Sequence, residues 1–154
     1  MVIPVYSEEI VIGPEHLDEM NHVNNTWHIH WMQEVAVRHS ALNGWDMARY
    51  VERGFAWFVR QHTINYLQQI FEGDTIIIDT WVADMKHVSS TRKYRIRRKS
   101  DGQILASAQT RWGLVDLKTG RPHRAPEDLL ECFIQLSESL PEEFHEKSER
   151  TFGV

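Results

Sequence analysis

The residues from Asp18 to Thr26 concentrate the side chains of this chain that are best suited to chemistry. The stretch reads Asp18-Glu19-Met20-Asn21-His22-Val23-Asn24-Asn25-Thr26, and a helical pattern begins at its end. A helix N-terminus offers unpaired backbone N–H donors and a positive dipole end, which stabilise an oxygen that gains negative charge. Asp18 is placed to activate water or to attack a carbonyl carbon, and the N–H groups of Asn25 and Thr26 are placed to hold the oxyanion.

One long helix must position this stretch. Its start is marked by Asn24 or Asn25, either of which can serve as an N-cap, and its end by Gly44. These signals predict a helix of about five turns. Apolar residues recur along it at three- and four-residue spacing and form a wide stripe: Trp27, Trp31, Met32, Val35, Ala36 and Leu42. A large apolar surface is needed to cover it.

Strands supply that surface. Segments rich in β-branched and aromatic residues predict strands at Val2–Ile12, Phe55–Leu67, Asp74–Met85, Ser89–Lys99 and Gln103–Leu117. The separating turns include Phe71-Glu72-Gly73-Asp74 and Asp101-Gly102, the second predicting a two-residue hairpin, so most neighbouring strands are expected to be antiparallel. A short helix is predicted at Pro126–Leu136.

Composition limits the classes of protein that this chain can belong to. The 154 residues, 42% hydrophobic and 25% charged, predict one globular domain over residues 1–136 and a polar tail over 137–154. The single Cys132 favours a reducing compartment. We see neither a signal-peptide pattern nor an apolar run long enough for a bilayer, so we expect a cytoplasmic protein without a membrane partner. The net charge of -5 argues against nucleic-acid binding.

The order of one strand, one long helix and four long strands, together with specific residues, resembles the hotdog-fold acyl thioesterases. The matching positions are Asp18-x-x-x-His22-Val23-Asn24-Asn25, Trp31, Glu34, Phe71-x-Gly73-Asp74 and Trp112-x-x-Val115-Asp116-x-x-Thr119-Gly120-Arg121-Pro122. The branch that it resembles most contains 4-hydroxybenzoyl-CoA thioesterase-like enzymes and acyl-ACP thioesterases. The resemblance implies an α+β hotdog fold, in which a curved antiparallel sheet wraps around one long central helix.

The resemblance also implies hydrolysis of an acyl thioester carried on coenzyme A or acyl carrier protein, with no metal and no organic cofactor beyond the coenzyme A of the substrate. It implies a homodimer or a tetramer of dimers with sites at the subunit interface. Asp18 matches the family's acidic residue and would act as nucleophile or general base. His22 matches a catalytic His of the acyl-ACP enzymes, but those enzymes carry an Asn where this chain has Met20.

Alternatives exist for the function and for several residues. A hotdog hydratase or dehydratase, or a non-catalytic acyl-CoA binder, are the rival functions. Bonding of loop N–H groups is the alternative role for Asp18, and the family resemblance favours catalysis over it. Asn24 and Asn25 are favoured as caps that fix the oxyanion donors. Trp27 and Trp31 lie one turn apart and are expected either in the core or bordering the acyl pocket. His28 and His30, two residues apart on a helix, point too far apart to chelate one metal ion.

A basic run over residues 92–99 has two interpretations. Six of its eight residues are Arg or Lys, and strand alternation places Arg95 and Arg97 on one face. A solvated outer face, or an edge strand protected from aggregation by charge, is the simpler interpretation. The other is a docking surface on which Arg95 and Arg97 bind the phosphates of coenzyme A or an acidic carrier protein.

Overall fold

The structure is a computed structural model that describes residues 2–136. Within these residues the elements are β1 Val5–Val11, a 3-10 turn Pro14–His16, α1 Thr26–Leu42, α2 Met47–Arg53, β2 Phe55–Tyr66, β3 Thr75–Met85, β4 Ser89–Arg98, β5 Ile104–Asp116 and α3 Glu127–Leu130. The predicted long helix and all five predicted strands are confirmed, with ends that differ by three residues at most. The predicted tail, 137–154, lies outside the described residues, so the domain boundary at 136 stays a prediction.

The strands form one antiparallel sheet in the order β1-β3-β4-β5-β2. Strand β1 pairs with β3, and β2 pairs with β5, so the two strands that flank the helices in sequence lie at opposite edges of the sheet. The basic strand β4 is the middle strand. The interpretation of the basic run as an edge strand is therefore wrong.

Helix α1 packs against one face of the sheet. Its buried residues Trp31, Met32 and Val35 share one apolar cluster with sheet residues Ile76, Ile78, Tyr94, Ile96 and Ala106. The small side chains Ala106 and Ala108 of β5 belong to or pack against the same cluster. Leu42, expected on the apolar stripe, is 54% exposed because it lies at the last residue of α1, beyond the cover of the sheet.

Helix α2 was not predicted, and it covers a second apolar cluster at the far end of α1. The Asp46 side chain accepts a hydrogen bond from the Arg49 N–H at 2.9 Å, and Gly54, at φ +84°, ends the helix in the left-handed conformation that favours glycine. Its own Tyr50 belongs to that cluster, together with Trp45, Phe55, Leu114 and Leu129.

Two other local predictions were wrong in length. The turn at Asp101-Gly102 is a four-residue loop, because the Arg98 N–H donates to the Gln103 carbonyl at 2.9 Å and closes the hairpin outside it. The helix predicted at Pro126–Leu136 is a single turn, α3, after which the chain forms a bridge between Gln135 and β3.

Candidate active site

Asp18 lies in a tight turn immediately before α1. Its backbone N–H donates to the His22 carbonyl at 2.7 Å, and its carboxylate Oδ1 accepts the N–H groups of Met20 at 2.9 Å and His22 at 3.1 Å. Asn21, at φ +59°, takes the left-handed conformation that closes the turn. Asp18 and His22 are exposed. Asp18 therefore accepts N–H groups of its own loop, and its carboxylate is at the same time open to solvent.

The helix start holds one unused backbone donor. Asn24 Oδ1 accepts from the Thr26 N–H at 3.0 Å and from the Thr26 hydroxyl at 2.9 Å, so Asn24 caps the helix as expected. Among the described residues, the Asn25 N–H has no hydrogen-bonding partner. Two donors were expected to hold an oxyanion. The Asn25 N–H is available for this, whereas the Thr26 N–H already donates to Asn24 Oδ1.

A buried histidine fastens this turn to the helix. His16 Nδ1 accepts from the Gly13 N–H at 3.0 Å, and the His16 carbonyl accepts from the Asn24 N–H at 2.9 Å. The ring centroid of His16 lies 4.7 Å from that of Trp27 and 5.6 Å from that of Trp31. The two tryptophans thus pack behind the turn.

An open groove of about 340 Å³ runs between the start of α1 and the chain that follows β2. Its lining residues are His22, Val23, Asn25, His28, Tyr66, Leu67, Gln68, Gln69 and Ile70. Neither Trp27 nor Trp31 lines it, because Trp31 is buried in the core and Trp27 turns toward His16. The groove brings His22 and the unused donor of Asn25 together, and the carboxylate of Asp18 is bonded to the His22 backbone at its edge.

His28 is a buried residue in the wall of the groove. It is 4% exposed, and its ring lies edge-on to Tyr66 with centroids 4.8 Å apart. Burial lowers the pKa of His28 to about 4, partly offset by the nearby Asn25 carbonyl, so the ring is neutral at pH 7. Its Nδ1 makes no hydrogen bond to the described residues.

Arg95 and Arg97 lie away from this site. They point from the face of the sheet opposite α1, and both bond to Asp79, with Arg95 Nε at 2.8 Å and Arg97 Nε at 2.9 Å from Oδ2. Arg95 is 4% and Asp79 2% exposed. The interpretation of Arg95 as part of a solvated face is wrong, and a phosphate-binding role for either arginine stays a prediction.

Residues 2–136 contain no group of three or more His, Cys, Asp or Glu side chains placed to hold a metal ion. His30 instead pairs with Glu34, 2.9 Å from Nε2 to Oε1, and Glu34 also contacts Arg38 at 3.4 Å. Glu34 thus has the ion-pairing role expected for i,i+4 neighbours. In this part of the chain no helix has the length and apolar character required to cross a bilayer.

The sheet wrapped on one long helix, with a polar turn at the start of that helix, defines a hotdog-fold protein of the thioesterase type. Residues 12–133 match the model of the Thioesterase-like superfamily. The chain therefore belongs to that superfamily.

Individual relatives are more distant. The chain is 25% identical over 104 residues to a chloroplastic palmitoyl-acyl carrier protein thioesterase from Cuphea hookeriana, covering 64% of this chain and 25% of that protein. It thus spans about a quarter of that relative. A DHNA-CoA thioesterase from Staphylococcus aureus superposes with a TM-score of 0.76 at 20% identity, covering 84% of this chain and 89% of the other. A second Staphylococcus aureus protein, solved in complex with CoA, gives 0.81 at 16% identity, covering 96% of each chain.

Sequence reasoning missed His16 and His28 as parts of the site. His28 was detectable, because it precedes Met32 by four and Val35 by seven residues and so lies on the apolar face of α1. His16 had no such signal, since it lies in a loop whose contacts depend on the fold.

Proposed function

We propose that this protein hydrolyses acyl thioesters of coenzyme A or acyl carrier protein in the groove at the start of α1. One observation carries the proposal: the Asp18 carboxylate is held in a hydrogen-bonded turn beside a helix start whose Asn25 N–H is unused. A fixed carboxylate and an unpaired donor are the two groups that thioester hydrolysis requires.

In the simplest reaction path, Asp18 removes a proton from water while the water oxygen bonds to the thioester carbonyl carbon. The oxyanion then accepts a hydrogen bond from Asn25 N–H. As the tetrahedral intermediate collapses, the C–S bond breaks and the thiolate takes the proton from Asp18. Alternatively, Asp18 attacks the carbonyl carbon itself, the thiolate leaves, and water hydrolyses the resulting anhydride.

Those two paths differ in where oxygen from solvent is found. After one turnover in H₂¹⁸O, label in the Asp18 side chain, detected by mass spectrometry of the peptide, would identify attack by Asp18.

His22 lies at the groove with its ring exposed, and in this proposal it contacts the leaving thiol or the water.

We further propose that two copies pair through β2. This edge strand is twelve residues long, and Phe58 and Tyr66 on it are 51% and 47% exposed. Long edges with exposed apolar side chains favour pairing with another strand. Since the groove is lined by residues directly after β2, a partner paired there would lie next to the site. Light scattering on the wild type and on Phe58→Lys tests this, with a dimer expected for the first and a monomer for the second.

The decisive experiment measures free thiol released from a panel of short, long and aromatic acyl-CoAs and from acyl-ACP. Wild-type release that is lost in Asp18→Asn supports the proposal, and the better carrier identifies the substrate class. Hydrolysis that persists unchanged in Asp18→Asn would refute the site. Tight acyl-CoA binding without thiol release would indicate a binding protein, and hydration of an enoyl-CoA would indicate a hydratase.

A further inference from the structure

A second cavity lies at the opposite end of α1 from Asp18. It has a volume of about 110 Å³ and is walled mainly by apolar side chains of α1, α2 and the sheet, including Ala36, Val82, Met85 and Phe133. Two of its lining residues, Val37 and Met47, are 47% and 57% exposed, so the cavity reaches the surface between α1 and α2.

Arg92 projects from β4 into this cavity, and its charge is not neutralised. The residue is 5% exposed, and no described carboxylate forms an ion pair with it. Its hydrogen bonds, to His39 Nδ1 at 2.9 Å and to Thr80 Oγ1 at 3.1 Å, both use Nη1. Among the described residues, no hydrogen bond is made by Nε or Nη2.

The neighbours of Arg92 do not compensate for its charge. His39 donates from Nε2 to the Ile3 carbonyl at 2.6 Å, so its Nδ1 is a neutral acceptor for Arg92. Trp45, another residue of the cavity wall, is fully buried, and its Nε1–H has no partner among the described residues. Burying an arginine without an anion costs several kcal/mol by general estimates. The free Nε and Nη2 edge is the edge that binds a carboxylate through two parallel hydrogen bonds.

We propose that this cavity binds a small organic carboxylate, with its charged end on Arg92 and its apolar body against the cavity wall. At about 110 Å³ the cavity is smaller than the cavity of about 150 Å³ that holds benzene, so a short chain or a single ring would extend into its opening between α1 and α2. Helix α1 places the cavity about 20 Å from Asp18 of the same chain. The carboxylate is therefore either a free acid or the far end of an acyl group whose thioester lies at the Asp18 of a paired copy.

The first test uses ¹⁹F NMR with 4-fluorobenzoate and its neutral analogue 4-fluorobenzyl alcohol on the full chain. We expect the wild type to bind the benzoate at least about tenfold more tightly than the alcohol, because only the benzoate engages the guanidinium. Equal binding of both probes, or no benzoate binding, would overturn the proposal without any variant being needed.

Variants then locate the site. Arg92→Met should abolish the preference for benzoate, Arg92→Lys should keep part of it, and Arg111→Met, an exposed cation on β5, should leave it unchanged. A preference that survives Arg92→Met in a variant shown by circular dichroism to be folded would overturn the proposal.

The chain itself is another source of carboxylates, since residues 137–154 contain five glutamates. Benzoate binding that appears only when all five are changed to Gln would also overturn it, since the chain would then supply the carboxylate.

A second arm distinguishes the two sources of carboxylate, and only this arm rests on the proposed thioester hydrolysis. Glutaryl-CoA and pentanoyl-CoA have acyl groups of equal length, and only the first ends in a carboxylate. If Arg92→Met lowers kcat/KM for glutaryl-CoA alone, by about tenfold or more, the site supports the acyl group of a paired copy. If turnover of both esters is unchanged while benzoate binding is lost, the site supports a free acid.

Discussion

Near the N-terminus of α1 the charged group, Asp18, lies at the surface, whereas near the C-terminus the charged group, Arg92, is buried with no carboxylate of the described residues paired to it. Asp18 is exposed and accepts two backbone N–H groups of its own turn. Arg92 is buried, and its bonds to the described residues are to uncharged acceptors. Each end also holds buried histidines, His16 and His28 at the first and His39 at the second.

The difference separates two ways in which a fold prepares for a ligand. An exposed carboxylate costs little to maintain, because water solvates it until a substrate arrives. A buried arginine without an anion lowers stability until a ligand provides the missing charge. We therefore expect a change of Asp18 to alter rate and a change of Arg92 to alter binding and stability.

The largest expected effect is that of Asp18→Asn. The amide keeps an oxygen that can accept the turn's N–H groups but cannot accept a proton or attack a carbonyl carbon, so turnover should fall about 10²- to 10⁴-fold with little change in melting temperature. Steady-state thiol release measures it. Glu19→Gln, which removes the neighbouring exposed carboxylate, is the matched control and should keep full activity; an equal loss in both variants would contradict a specific role for Asp18.

Removing the unused backbone donor should have the next largest effect. Asn25 has φ -59°, which proline can adopt, and proline is tolerated at helix starts. Asn25→Pro deletes the N–H and should lower kcat by about 10²- to 10³-fold. Asn25→Ala keeps the N–H and should retain most activity. Similar rates for the two variants, both folded by circular dichroism, would show that another group holds the oxyanion.

Lowering the pH should reduce the free energy of unfolding through the buried histidines His28 and His39, one near each end of α1. Burial lowers the pKa of His28 to about 4, and burial together with the charge of Arg92 lowers the pKa of His39 to about 4, from the usual 6.5. Between pH 6.5 and 4 the unfolded chain binds protons that the fold does not. The free energy of unfolding should therefore fall with pH across this window, by about 3 kcal/mol for each histidine, and level off below it.

Urea unfolding from pH 7 to pH 4 measures that slope. His28→Gln and His39→Gln should each remove part of it. Arg92→Met should flatten the contribution of His39 alone, because only His39 lies beside Arg92. A slope that none of these variants changes would mean that other groups titrate.

The smallest effect is expected for Asn24→Ala. Loss of a side-chain cap costs about 0.5–2 kcal/mol, which urea unfolding at pH 7 resolves, and Asn24→Asp should retain the cap. Because the change also frees the Thr26 N–H at the same helix start, kcat should change much less than in Asn25→Pro. A loss of kcat as large as that of Asn25→Pro would show that Asn24 acts on the substrate.

The main elements were predictable because each has a local signal. The long helix had caps at both ends and a period of three to four residues, and the strands had alternation with turns between them. Helix α2 was missed because its seven residues, with Met47 and Val51 exposed, carry no apolar stripe of a usable length. The loop at 99–102 depends on which backbone pair closes the hairpin, and composition does not reveal that.

For the candidate site, the sequence indicated the right turn but not which of its hydrogen-bond donors are already occupied. The capping role of Asn24 was predicted, but its occupation of the Thr26 N–H depends on side-chain geometry. The contacts of the basic run over residues 92–99 were predictable only in part. Its alternation was correct, yet the sequence could not reveal that Asp79 lies beside Arg95 and Arg97 on one face while no described carboxylate lies beside Arg92 on the other.

The way in which His16 is held has a consequence for the motion of the site. The amides of Gly13, Asp18 and Asn24 each donate to a fixed acceptor within the turn, and the His16 ring is buried among tryptophans. The turn thus has little freedom left to lose when a substrate binds. In hydrogen-exchange experiments these three amides should be protected almost as well as those inside α1, although the carboxylate between them is open to solvent.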